Sequence, residues 1–170
     1  MKNKKGIIFI LLAIIILVGV VLFVLNNDVK IKEFNNDDIE VVYDSTWKLV
    51  DKKELSLEHK KSKSTFRVVS KELESNYYDT ELKDIIKDVI YDVQTQNKKF
   101  TLIDTEENIS EKYDGYSYLY ENGDGQVMVN IYKKDNILVI AYYEASNEYY
   151  DIVLDSVDSI LNTLEIKSGV

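Results

Sequence analysis

The chain has no cysteine and no proline, one histidine, one arginine and six glycines among its 170 residues. Without cysteine there are no disulfides, no thiolate metal sites and no cysteine nucleophile. A lone histidine, His59, excludes any site built on two imidazoles. No Gly-x-Ser-x-Gly, phosphate-binding loop or dinucleotide fingerprint occurs, and so few glycines could hardly supply one. Twenty lysines against Arg67, with no proline, point to an AT-rich genome of the low-GC Gram-positive type. The length allows one domain of ordinary size.

Charge is also missing in one place. Lys2, Lys4 and Lys5 are followed by nineteen residues, Ile7–Leu25, that carry no polar side chain. A helix of that length just spans a ~30 Å hydrocarbon core. Its Ile, Leu, Val and Phe residues sum to roughly −5 to −10 kcal/mol of insertion free energy. The run is too long for a cleavable signal, and Phe23-Val24-Leu25-Asn26-Asn27 offers no small-x-small cleavage pattern. Lysines before the span and Asn26, Asn27 and Asp28 after it set the orientation. The expectation is a cytoplasmic stub at 1–5, a membrane anchor held by lipid at 6–25, a tether at 26–38 and an extracytoplasmic domain at 39–167. Residues 26–170 hold 18 basic and 30 acidic side chains, a balance of −12 that excludes nucleic acid as a partner.

One alternative concerns processing. Lys4-Lys5-Gly6 before an apolar helix is similar to the leader junction of pilin-like secretion or assembly subunits. Those carry a glutamate five residues after the glycine, where this chain has Leu11, and Asn26-Asn27-Asp28 interrupts the long helical spine they need.

Beyond the tether, in which a strand is expected at Val29–Phe34, alternation and turn residues predict further strands. These are Ile39–Tyr43, a segment from Trp47 through Leu49 and Val50, and a hairpin of Leu55–Lys60 with Ser64–Glu72. A helix over Thr80–Gln96 follows from Leu82, Ile85, Ile86, Val89, Ile90 and Val93 falling on one face. Four strands come next, Phe100–Thr105, Lys112–Glu121, Gln126–Lys133 and Asn136–Glu144, with turns at Asn122–Gly125 and Lys134-Asp135. A closing helix over Asn147–Asn162 takes Ser146 or Asn147 as its cap. Its apolar face is Tyr149, Ile152, Val153, Val157, Ile160 and Leu161, and Leu164 and Ile166 end in a short strand. The strand from Ile137 is apolar on both faces, so it must be central with both faces covered. Two amphipathic helices are available to cover it. The fold class is therefore α+β, an antiparallel sheet covered by helices on both faces and preceded by one transmembrane helix.

The element order and two local signatures resemble the PsbP-like domain family, whose fold is shared with a yeast Ran-binding import factor. One signature is the strand and tryptophan of Ile39-Glu40-Val41-Val42-Tyr43-Asp44-Ser45-Thr46-Trp47, with Asp44 where relatives typically carry proline. The other is the hairpin-then-helix ending from Val127 to Ile166, with Asp155-Ser156-Val157 and Leu161-Asn162-Thr163-Leu164. The resemblance covers about residues 30–167 and implies an α/β/α sandwich. Functions in the family range from a photosystem subunit to an import accessory and bacterial surface proteins, so it implies no residue roles.

No catalytic, cofactor or metal residues are expected. His59 sits between Glu58 and lysines near a hairpin turn, where a solvated strand-end histidine is the plain reading. Asp37-Asp38 and Glu106-Glu107 are adjacent acids in polar stretches, without the burial a glycosidase pair needs. Glu121–Gly125 lacks the ligand series of a calcium loop, and Asn108-Ile109-Ser110 is a sequon. Two features are candidate contact surfaces. Tyr116, Tyr118 and Tyr120 alternate and share a sheet face, fit either for stacking on a partner or for packing beneath a helix. Asp84, Asp88 and Asp92 form a row on the first helix, matched by Asp151, Asp155 and Asp158 on the second. These rows suit a basic partner, or simply solvation. The expected role is a non-catalytic binding or accessory module with a protein partner in the cell envelope.

Overall fold

A computed structural model describes residues 30–96 and 99–167 of the chain. All but Lys30 belong to one compact unit that begins at Ile31. The expected membrane span lies outside the described residues, and among these no helix is long and apolar enough to cross a membrane.

The strands are β1 (Ile31–Asn35), β2 (Ile39–Asp44), β3 (Trp47–Asp51), β4 (Leu55–His59), β5 (Thr65–Glu72), β6 (Phe100–Glu107), β7 (Asp114–Asn122), β8 (Gly125–Lys134), β9 (Ile137–Ser146) and β10 (Glu165–Ile166). The helices are α1 (Leu82–Gln96) and α2 (Tyr150–Asn162), with a single 3-10 turn at Ser75–Tyr77. A seven-stranded antiparallel sheet runs in the order β3-β4-β5-β9-β8-β7-β6, and β1-β2-β10 form a separate three-stranded sheet. The fold is thus α+β with antiparallel sheets and two helices. The expected single sheet is corrected by this second one, because β1 from the tether segment and the short β10 both pair with β2.

β9 is the central strand of the large sheet, as its two apolar faces require. Leu138 is buried against α1, together with Leu82, Ile85, Ile86 and Val93 of that helix. Ile137, Val139, Ala141, Tyr143 and Ala145 face the other way, into a core with Tyr150, Val153, Val157 and Ile160 of α2 and with Ile39, Val41 and Tyr43 of the small sheet. Trp47 is fully buried in that core and its Nε1 donates to Ser156 Oγ at 2.9 Å, tying β3 to α2. Thr163 Oγ1 accepts from the Val42 N–H at 2.9 Å and ties the end of α2 to β2.

The tight turns explain the hairpins. Asn122 pairs with Gly125, leaving Gly123 at φ 58° in the first central position, as a II′ hairpin turn demands. The start of α2 differs from expectation. Ser146 is still in the β9 ladder opposite Gly125, and the Asn147 N–H donates to the Asp124 carbonyl at 3.0 Å. The helix therefore begins three residues later, with Tyr149 at its cap and no side-chain capping bond. The buried stripe shifts accordingly to Tyr150, Val153, Val157 and Ile160, and Ile152 is 71% exposed.

Candidate functional site

On the face of the large sheet that carries α2, the helix stops short of the β6–β7 end. The loop 108–113 folds over that end and encloses a cleft of about 560 Å³. Its floor is set by strand register. Ser117 of β7 lies opposite Asn130 of β8, with Glu106 of β6 next in the row. Gly115 lies opposite Tyr132 one step along. Asp158, Leu161 and Leu164 supply the wall from α2 and its exit.

The loop is fastened at several points. Asn108 turns it at φ 58° and the Ile109 N–H returns to the Gly115 carbonyl at 3.4 Å. Ser110 Oγ accepts from the Lys112 N–H at 3.1 Å. Tyr113 accepts from the Ile166 N–H at 2.9 Å and donates to Glu165 Oε2 at 3.1 Å, while Lys112 ion-pairs with the same carboxylate. The cleft therefore has a built wall, pinned to β10. Gly115 is required behind it: a Cβ there would lie 2.9 Å from the Tyr132 ring and 3.1 Å from Ile109.

Asn130 is the unusual group. It is only 5% exposed, and its Oδ1 has no hydrogen-bond partner among the described residues. Buried amide oxygens are nearly always paired, since leaving one unmade costs about 1–3 kcal/mol. Beside it, burial pushes the Tyr132 phenol up to about 12 against the bond from Asn130, and the charge of Asp158 adds to the rise. Burial, then the neighbouring charge of Asp155, likewise raises the Asp158 carboxyl. Glu106, Glu111 and Asp158 line the cleft, and none forms a salt bridge among the described residues. Its one lysine, Lys112, is already paired to Glu165. The cleft is acceptor-rich and negative, and no group of three or more His, Cys, Asp or Glu among the described residues could hold a metal ion.

The surfaces expected from sequence lie elsewhere. Tyr116, Tyr118 and Tyr120 occupy the opposite sheet face, against α1. Tyr120 is fully buried beside Phe100, ring centroids 5.7 Å apart, and Tyr116 and Tyr118 are half-buried. On α1, Asp84 is exposed and ion-paired with Lys87 at 2.8 Å, which lowers its carboxyl. Asp88 borders a smaller cleft of about 300 Å³ between α1 and β9. The Asp92 side chain lies outside the described residues. Of the second row, Asp151, Asp155 and Asp158 are all exposed, and Asp158 alone also lines the larger cleft.

His59 is corrected from a solvated residue to a half-buried one. Its Nδ1 is 2.7 Å from Ser62 Oγ and its ring meets Trp47 edge-on at 5.2 Å. Burial lowers its pKa. Ser62 Oγ also lies 2.7 Å from Ser64 Oγ, so this contact closes the β4–β5 turn, with Lys63 at φ 63°. Asn130 was missed because it belongs to no motif. Its signal was a polar residue in Val127-Met128-Val129-Asn130-Ile131, a strand whose register puts Asn130 on the face carrying α2.

The course of the backbone identifies the fold. The solution structure of cyanobacterial PsbP from Synechocystis sp. superposes with a TM-score of 0.65 at 14% identity, over 82% of this chain and 94% of that one. The chain has the PsbP-like fold. The PsbP-like domain also matches a protein of unknown function from Pseudomonas aeruginosa, TM-score 0.57 at 10% identity, over 82% of this chain and 99% of that one. LpqN of Mycobacterium tuberculosis, which is involved in cell envelope biogenesis, matches with a TM-score of 0.56 at 10% identity, over 86% and 95% of the two chains. No family model and no curated protein matches the sequence.

Proposed function

We propose that this PsbP-like domain is the binding module of a single-pass membrane protein, displayed outside the cell and accessory to an envelope complex, with the cleft beside α2 as its recognition site. The observation that carries this reading is the unpartnered Asn130 acceptor, buried at the floor of a walled cleft. The apolar run Ile7–Leu25, with lysines before it, supports the anchor and its orientation. LpqN, which shares the fold, works in cell envelope biogenesis in its own bacterium. The reading is non-catalytic because the chain's one imidazole and its serine neighbour serve a turn in another hairpin, and the cleft itself offers carboxylates, amides and hydroxyls.

Two measurements test it. Protease added to intact protoplasts should degrade the domain, and full protection would overturn the orientation. A photo-crosslinking residue at Glu111, on the rim of the cleft, should capture a discrete envelope partner or ligand in whole cells. The same residue at Val50, 62% exposed on the β3 edge, should not. Equal capture from both positions, or none from Glu111, would overturn the cleft as the recognition site.

A further inference from the structure

The chemistry of the cleft narrows what it can receive. An anion would meet Glu106, Glu111 and Asp158 with the only cleft lysine already committed to Glu165. A metal ion would need clustered ligands, and among the described residues no three of His, Cys, Asp and Glu are grouped to hold one. A wholly apolar ligand would leave Asn130 Oδ1 unpaired and strip water from three carboxylates. A neutral hydroxyl or amide would satisfy Asn130 Oδ1 but leave the carboxylates unbalanced, whereas a positively charged hydrogen-bond donor answers both. Its stem can lie along Met128 and Leu161, which give the cleft its apolar side. The volume is within the ~300–1,000 Å³ usual for ligand sites and is ample for an aminoalkyl chain.

We propose that the cleft is a receptor for a primary ammonium group on a short hydrocarbon stem. The ammonium donates to Asn130 Oδ1 and is neutralised by Asp158, with Glu106 on the far side. This rests on the reading of the cleft as the recognition site and names its ligand class. An ammonium has three donors and no acceptor, which matches a floor holding an acceptor in need of a donor. Asp158 is suited to the second contact: it is reachable at the exposed rim of the cleft, partial desolvation and the charge of Asp155 raise its carboxyl, and it has no salt-bridge partner among the described residues. The ammonium can come from a free diamine or from a lysine side chain of a peptide.

The experiment uses the full chain in a non-ionic micelle, with calorimetry for affinity and amide chemical shifts for location. The ligands are cadaverine, N-acetyl-lysine methylamide and the neutral N-acetyl-norleucine methylamide. At least one ammonium compound should bind saturably and shift Ser117, Asn130 and Asp158, and the norleucine analogue should bind about tenfold more weakly or worse, as the loss of a charge-assisted bond implies. Tighter binding of the blocked lysine assigns the source to a peptide side chain, and tighter binding of cadaverine to a free amine. Asp158→Asn and Asn130→Ala should each weaken binding about tenfold. Asp155→Asn, which makes the same charge change one turn away and outside the cleft lining, should change it less than about twofold. Equal binding of the norleucine analogue would overturn the ligand class and leave the cleft as a site. Equal losses from Asp155→Asn and Asp158→Asn would reduce the effect to diffuse attraction, and unmoved cleft resonances in millimolar amine would overturn the proposal outright.

Discussion

Two tyrosines on opposite faces of the sheet should respond with opposite signs to the same substitution. Tyr120 is fully buried against Phe100, and its hydroxyl has no partner among the described residues. Tyr143 is equally buried, but its hydroxyl donates to the Tyr150 carbonyl at 2.8 Å. A buried hydroxyl left unmade costs about 1–3 kcal/mol, and a made bond stabilises by about 1 kcal/mol. Tyr120→Phe removes a penalty and leaves a gap the size of one oxygen, so it should raise stability by about 1 kcal/mol. Tyr143→Phe removes the bond its hydroxyl makes to the first turn of α2, which should cost about 1–2 kcal/mol. The assay is urea unfolding of the full chain in a non-ionic micelle, followed by fluorescence. Trp47 is the only tryptophan and is fully buried, so its emission reports the native core. With a slope of about 2 kcal/mol per molar urea, the midpoint should rise by about 0.5 M for Tyr120→Phe and fall by about 0.5–1 M for Tyr143→Phe. A fall for Tyr120→Phe as large as that for Tyr143→Phe would show that the Tyr120 hydroxyl is bonded in solution, and the accounting for that face would be wrong.

Three further outcomes follow from the same structure. Gly115→Ala puts a methyl into the Tyr132 ring and Ile109, so it should cost about 1–3 kcal/mol by urea unfolding and weaken any ligand of the cleft; an unchanged midpoint would refute the tight packing. A fragment beginning at Asp28 should fold cooperatively, whereas one beginning at Ile39 loses all of β1 and buried Phe34 and should be less stable by at least about 2 kcal/mol; equal midpoints would make β1 dispensable. Burial raises Tyr120, Tyr132 and Tyr150 to about 12, above an unfolded value near 10, so the folded state keeps protons that the unfolded state has lost. Stability should be complete below about pH 10 and fall as pH rises toward 12, and a urea midpoint flat across that window would refute the burial of these phenols.

Much of the architecture was legible because it rests on periodicity. The two-faced strand from Ile137 and the stripe from Leu82 to Val93 each have one physical solution, a central strand and a covering helix. Local signals failed where tertiary pairing overrode them. Ser146 and Asn147 are good capping residues, yet β9 keeps Ser146 in its ladder and the Asp124 carbonyl takes the Asn147 N–H, so the helix waits until Tyr150. The small sheet was invisible because β10 is two residues long and has meaning only opposite Ile39 and Glu40. The cleft was invisible for a similar reason. Asn130, Asp158 and loop 108–113 are remote in sequence and converge only through the order β9-β8-β7-β6.

The tyrosine stripe and the cleft are two sides of one sequence alternation. Along β7, Tyr116, Tyr118 and Tyr120 point to α1, so Gly115, Ser117 and Leu119 point to the other face. A seven-stranded sheet is about 29 Å across at ~4.8 Å per spacing, and a helix about 10–12 Å thick cannot cover it. On the first face, bulky tyrosines fill the width that α1 leaves. On the second, the small sheet and α2 share one core with β3, β4, β5 and β9. At the β7 end the side chains are then too small to close the remainder: Gly115 has none and Ser117 little. The cleft is what that deficit of volume leaves, and loop 108–113 walls it instead of filling it. The tyrosine alternation, which admitted either stacking on a partner or packing beneath a helix, is thus the packed half of the arrangement, and its inconspicuous complement forms the floor of the cleft.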